Sequence, residues 1–289
     1  MGPANDFTET NLTMADFWYH SNFLNFINTT NPDVSGMLGF LVQQLQAAED
    51  AGESVWILGH VLSGMSRWQI SNDSILNFIG WDGTNPLPNP TNYFYQIVDR
   101  YSPHVIRNIF FGHTHEDFLF NFYANNGTNM SAQTALATAW VAPSLTPLTN
   151  VNSGFRSYEV DTGSWDVYDA YTFYSNVSSF PAVQNTSHGP VFQFEYNTRQ
   201  TYGPNINWPA TAPLNSTFWH LVSEQIEVNT TLASIFNTYQ GKSSVKSPNC
   251  TNIACAQAKA CYMRSGSVAL GSQCPQGYGS VQSAFTPST

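Results

Sequence analysis

The chain has 289 residues, 42% of them hydrophobic and 15% aromatic, enough for one large domain or two small ones with a sizeable core. Charged residues make up only 10%, the formal net charge is −10, and lysine occurs only at Lys242, Lys246 and Lys259. This balance argues against a nucleic-acid binder, which needs a basic footprint, and against adhesion to an anionic membrane by charge alone.

In chain order, the first predicted element is a helix from Asp33 to Gly52. Leu38, Leu41, Val42, Leu45 and Ala48 form its apolar stripe, Asp33 can cap its start and Gly52 can end it. VWILGH, residues 55–60, reads as a short buried strand stopping at Gly59, so helix, turn and apolar strand follow in α/β order. Glycine and proline punctuate residues 82–97 before a helix predicted over Tyr93–Tyr101. VIRNIFFGHTH, residues 105–115, is a second buried strand, and ATAWVAPS (137–144) is a third. FRSYEVD (155–161) and WDVYDAYTFY (165–174) alternate as half-exposed antiparallel strands do. Beyond about residue 180 the chain turns loop-rich, with helices predicted near 215–227 and 229–240. A cysteine segment follows, then a tail, GSVQSAFTPST, that reads as disordered. No internal repeat is present.

Several features point outside the cell. Asn-X-Ser/Thr sequons occur at Asn11, Asn28, Asn72, Asn126, Asn129, Asn176, Asn185, Asn215, Asn229 and Asn249. Together with the low charge they favour a secreted glycoprotein or one in a lysosomal or vacuolar lumen. The four cysteines, Cys250, Cys255, Cys261 and Cys274, cluster near the C-terminus as an even set, which reads as a disulfide staple. Their spacing is not that of a zinc ribbon and leaves three pairings open. MGPANDFTETNLTMADF has neither the basic nor the apolar region of a signal peptide, so the start of the full protein is expected to be absent. No apolar run reaches the roughly 18 residues of a membrane span.

Chemistry gathers where strands end. Two strands end in Gly-His, at Gly59–His60 and Gly112–His113, and His115 follows two residues later. Glycine permits a sharp turn and close backbone approach, and neutral imidazole is the commonest metal-binding side chain. His60, His113 and His115 are therefore the candidate metal ligands. His20, His104, His188 and His220 lack this setting and read as surface or packing residues.

The stretches AAEDAGESVWILGH, FFGHTHEDF and APSLTPLTNVNSGFRSYEVD, in that order, resemble the C-terminal half of an acid sphingomyelinase-like phosphodiesterase, a branch of the calcineurin-like metallophosphoesterases. The resemblance runs from about Phe17 through the cysteine segment. It implies an α/β (α+β) fold: a β-sandwich flanked by helices, here incomplete at its N-terminal half, over residues 1–178. A small helical, disulfide-stapled C-terminal subdomain would occupy residues 179–289. It implies a two-zinc site in the complete family member, with His60 and His113 on one zinc and His115 on the other, and cysteine pairs Cys250–Cys255 and Cys261–Cys274. The implied activity is zinc-dependent hydrolysis of a phosphodiester, the lipid sphingomyelin in the first instance, with nucleotide phosphodiesters as the alternative substrate class.

The sequence departs from that pattern in two places. The Asp-X-His, Gly-Asp and Asn-His elements that complete the family's metal site do not occur. Three neutral histidines alone are expected to hold at most one zinc, weakly, so the chain as it stands is expected to be inactive. A mononuclear site would need a general base; Glu116 and Asp117 are the nearest in sequence, although Asp117 is expected rather to orient a ligating histidine. Second, Met65–Gly80 interrupts a loop that would otherwise read GHVLSGWDGTNP. Its ends can be encoded as an intron start and a terminal AG. It is either a short intron translated in frame or an ordinary loop insertion; a spliced transcript encoding Met65–Gly80 would exclude the intron. The rival reading from another class is a non-catalytic secreted glycoprotein that keeps the scaffold.

Overall fold

In the computed structural model, residues 33, 36–60, 62–63, 88–182 and 190–287 are described. Helix α1, Met37–Ala51, begins later than the predicted Asp33, with Gly36 in the capping position; the Asp33 carboxylate nonetheless accepts from the amides of Leu38 and Gly39 at 3.2 and 2.7 Å. It ends at Gly52, whose φ of 69° suits glycine at a helix end. Strand β1 (Val55–Leu58), helix α2 (Pro88–Tyr101) and strand β2 (Ile106–Phe111) follow. Next come β3 (Phe118–Tyr123), β4 (Ala135–Val141), β5 (Ser153–Val160), β6 (Val167–Ser175) and β7 (Gln193–Asn197). The remainder is helical: α3 (Thr198–Tyr202), α4 (Ser216–Val228), α5 (Thr230–Gln240), α6 (Ile253–Met263) and α7 (Val268–Gly271).

The strands form two sheets, with order β1-β2-β4-β3 in one and β5-β6-β7 in the other. In the first, β1, β2 and β4 are parallel and β3 is antiparallel to β4; the second is wholly antiparallel. β2 buries residues of both parities, Ile106 and Asn108 as well as Ile109 and Phe111, because its sheet is covered on both faces. On one side Phe110 and Trp140 meet Tyr158 of the second sheet edge to face, at 5.0 and 5.6 Å between ring centroids. On the other, Phe94 and Tyr95 of α2 pack on Phe111 and Phe122, and Phe236 of α5 packs on Phe118. Trp219 of α4 meets Trp140 at 5.4 Å. One apolar core therefore runs from Leu38 to Tyr278, across residue 178 without a break.

The C-terminal segment carries two disulfides, Cys250–Cys255 and Cys261–Cys274, the pairing implied by the resemblance. Two readings are corrected. FLFNFY, not recognised in the sequence as a strand, is β3: it is buried on both faces and so shows no alternation. The tail is not disordered through Gln282, because Ser280, Val281 and Gln282 are buried against the sheet's histidine end. His20, His188, Met65–Gly80 and the sequons at Asn11, Asn28, Asn72 and Asn185 lie outside the described residues.

Candidate metal centre

Parallel pairing places the histidines. Neighbouring parallel strands end at the same sheet edge, so the residues after β1, β2 and β4 converge there. The Gly59 amide donates to the Phe110 carbonyl and the Gly112 amide to the His60 carbonyl, both at 2.9 Å, zipping the two Gly-His dipeptides side by side. The Ala142 amide donates to the Phe111 carbonyl at 2.8 Å and brings the Ala-Pro-Ser stretch after β4 alongside. Both glycines serve close approach: a Cβ on Gly59 would lie 2.8 Å from the Phe111 ring, and one on Gly112 would lie 3.4 Å from the His60 ring.

The loop that follows holds unusual backbone. His113 and His115 both adopt the left-handed region, with φ of 68° and 60°. That conformation costs a residue other than glycine roughly 1–2 kcal/mol. It persists where surrounding contacts impose it, and such strain clusters at functional sites.

His60 and His113 stand ring to ring, 5.2 Å between centroids and nearly perpendicular, with His60 Nε2 3.4 Å from His113 Nδ1. Two nitrogens bound to one tetrahedral zinc, each about 2.0–2.1 Å away, are separated by about 3.3 Å. Without metal, this contact is a hydrogen bond from one ring's N–H to the other's lone pair; with that proton displaced, the same spacing fits a shared ion. His60 is held below its ordinary basicity by partial desolvation and by the repulsion that a second imidazolium at His115 would exert if both rings charged, which favours the neutral, ligating form. His115 is oriented separately. Its Nδ1 lies 2.5 Å from the Leu148 carbonyl, which can only accept, so Nδ1 carries the proton and Nε2 keeps its lone pair for a ligand. Among the described residues, no cluster of three or more histidine, cysteine or acidic side chains is pre-arranged around a single ion, so His115 does not complete the His60–His113 pair.

The two acids behind the histidines face elsewhere. Glu116 is buried, and its carboxylate accepts from Ser280 Oγ and the Val281 amide at 2.7 Å and from Gln240 Nε2 at 2.5 Å. Burial raises its pKa, and the Lys259 ammonium, which donates to Gln240 Oε1 at 2.7 Å, opposes that shift. Asp117 pairs with Arg156 and accepts from Thr172 Oγ1 at 3.1 Å and Tyr196 OH at 2.8 Å. Neither carboxylate is turned toward the histidine rings as a general base would be. Asp117's oxygens are spent on the second sheet, so any support it gives a ligating histidine passes through the backbone.

Functional neighbours absent from the sequence reading come from far along the chain. Lys242, fully buried, donates from Nζ to the His115 carbonyl at 2.7 Å and the Ser144 carbonyl at 3.1 Å, and burial pushes its pKa down to about 8. Gln240 accepts the Asp117 amide on its carbonyl at 3.0 Å. Gln282 reaches the Thr114 carbonyl. The only sequence signal for Lys242 is the scarcity of lysine in the chain; Gln240 and Gln282 carry none. Of the other histidines, His220 is a buried packing residue against the Tyr123 hydroxyl at 3.0 Å, and His104 is a surface partner of Glu49 at 2.6 Å.

No family model matches the sequence. Curated proteins do. The sphingomyelin phosphodiesterase of Homo sapiens is 32% identical over 213 residues, 71% of this chain and 27% of that protein. The sphingomyelin phosphodiesterase of Bos taurus is 31% identical over 227 residues, 76% of this chain and 30% of that protein. Sphingomyelin phosphodiesterase B of Dictyostelium discoideum is 27% identical over 242 residues, 82% of this chain and 33% of that protein. The chain thus spans about a third of the length of the curated relatives it matches.

Proposed function

The chain belongs to the acid sphingomyelinase-like phosphodiesterases, and from that premise we propose that its histidine end is the part of a zinc-dependent phosphodiesterase site carried by this stretch of the family. The observation that carries the reading is the 3.4 Å approach of His60 Nε2 to His113 Nδ1 at the ends of two adjacent parallel strands. His60 and His113 would share one zinc, and His115, through Nε2, would serve a second. Bound there, zinc supplies Lewis-acid polarisation of a phosphoryl oxygen.

The chain's own residues do the rest of what is on hand. The Gly59 and Gly112 turns bring two imidazoles to one point, and the Leu148 carbonyl fixes which nitrogen of His115 bears the proton. Glu116 and Asp117 brace the loop and move no proton for the substrate. Because the described residues bring no carboxylate to the histidines, two dications would meet little compensating charge. The 289-residue chain alone is therefore proposed to hold at most one zinc and to hydrolyse phosphodiesters at or near background. The substrate class proposed is a sphingomyelin-type lipid phosphodiester, by likeness to the sphingomyelin phosphodiesterases, with nucleotide phosphodiesters second. Parallel assays of the purified chain on both classes, with zinc titration, test the reading; robust zinc-dependent turnover contradicts the proposed inactivity.

The same lack of a nearby carboxylate favours a second reading, a secreted scaffold without chemistry. Failure of the chain to bind any zinc through His60 and His113 would select it. In either case an extracellular or lumenal location is proposed. Both disulfides support it, no helix among the described residues is long and apolar enough to cross a membrane, and the described sequon asparagines Asn126, Asn129, Asn176, Asn215, Asn229 and Asn249 are all exposed. Buried Asn108, Asn121, Asn152, Asn197 and Asn237 all lie outside sequons.

A further inference from the structure

We infer that Gln282 is a positioning residue for His115, gripping at once the backbone that carries this histidine and the peptide group that holds its ring. The inference takes from the reading above only that His115 is a ligand. Gln282 Nε2 donates to the Thr114 carbonyl at 2.7 Å, and that carbonyl belongs to the peptide bond entering His115. Gln282 Oε1 accepts the Thr149 amide at 2.9 Å. The Thr149 N–H and the Leu148 C=O are two ends of one peptide group, and the Leu148 carbonyl is the acceptor for His115 Nδ1. One carboxamide therefore closes a loop: Thr114 carbonyl, Gln282, the Leu148–Thr149 peptide, the His115 ring, and back to the His115 backbone.

A carboxamide suits this position because one end must donate and the other accept, 4% exposed, with no water to make up a loss. Gln282 is itself fixed. Its amide donates to Ser280 Oγ at 3.1 Å, and its carbonyl accepts Asn150 Nδ2 at 2.8 Å. Ser280 and Val281 are tied to Glu116, the residue after His115. The C-terminal segment thus sets the His115 tautomer from 168 residues beyond Thr114. Without the bridge, the Leu148–Thr149 peptide is free to turn away, the Nδ1 proton loses its acceptor, and the imidazole exchanges between its two neutral forms. Only one of those forms offers Nε2 outward.

The test uses the metal-free chain first. Long-range proton–nitrogen correlation spectra report which ring nitrogen of His115 is protonated. Wild type is expected to show the Nδ1–H form; Gln282→Met, close in size but without the amide, is expected to show a mixture of both. Gln282→Asn, which keeps the amide but is too short to span both peptides, gives the same mixture and serves if Gln282→Met does not fold. Leu232→Ala, a core truncation in α5, controls for stability: it lowers the melting temperature and leaves the tautomer unchanged. In the second arm, zinc affinity is measured by competition with a chromogenic chelator; both Gln282 variants are expected to bind the single ion as tightly as wild type, because His60 and His113 hold it, and a matching loss of affinity would overturn a role confined to His115. An unchanged His115 tautomer in a folded Gln282 variant overturns the inference, as does the Nε2–H form in wild type. Absence of zinc binding by wild type overturns the zinc reading alone, and the tautomer arm still decides this one.

Discussion

Replacing Arg156 with methionine removes the guanidinium that neutralises Asp117 two residues beyond His115. The side chains are 2% and 5% exposed, so water cannot take over the pairing. Arg156 also donates to Tyr196 OH at 2.7 Å and Thr172 Oγ1 at 3.1 Å, and both hydroxyls turn back to Asp117. Methionine fills much of the volume but leaves a buried carboxylate with two neutral donors. Breaking a buried pair by removing one partner costs about 3–5 kcal/mol; the two surviving donors place this case at the lower end. At roughly 2 °C per kcal/mol for a chain of this size, the melting temperature falls by on the order of 6 °C. The assay is a double-mutant cycle with Asp117→Asn, read by urea and thermal unfolding. The double variant is expected to cost clearly less than the sum of the singles, because the second change removes the charge stranded by the first. A loss under about 1 kcal/mol for Arg156→Met, or strict additivity in the cycle, would refute a pair that ties the histidine loop to the second sheet.

Burial raises the Glu195 carboxyl from 4.5 to about 8, so the folded chain keeps this proton over a range in which the unfolded chain has lost it. That contribution is complete below about pH 4.5 and declines as pH rises toward about 8. Glu195→Gln should therefore unfold at a higher temperature than wild type near pH 8 and at the same temperature near pH 4; no pH-dependent gap would count against a protonated Glu195. Gly59→Ala drives a methyl into the buried Phe111 ring, and is expected to cost about 1–3 kcal/mol and weaken zinc binding through His60; an unchanged urea midpoint would contradict the close approach. After expression through a eukaryotic secretory pathway, enzymatic deglycosylation should lower the mass, with conversion of asparagine to aspartate at positions among Asn126, Asn129, Asn176, Asn215, Asn229 and Asn249. Full secretion with none of the six modified would remove the glycoprotein reading.

Much of the histidine end was legible because its determinants are local. Apolar runs ending in Gly-His give β1 and β2, and Gly52 gives the end of α1. The alternation of FRSYEVD and DVYDAYTF gives the β5–β6 hairpin. What was not legible depends on partners far apart in sequence. β3 lacks a period because both its faces are covered, by elements the hydrophobic pattern does not name. Asp117 lies next to two histidines in sequence, and its carboxylate turns to Arg156 on the other sheet. Lys242 and Lys259 would be placed on the surface by residue type, yet both are buried on carbonyl and amide oxygens. The tail's small polar residues read as disorder until Glu116 and Thr114 are seen to take their hydrogen bonds.

Zinc titration of the purified chain, with His60→Ala and His113→Ala alongside wild type, tests the central claim most directly. Binding of a single ion that is lost in both variants is the predicted result, because the two imidazoles stand 3.4 Å apart as ligands of one metal do. Zinc binding that survives both substitutions, or no binding by wild type, would contradict a metal centre built on these strand ends.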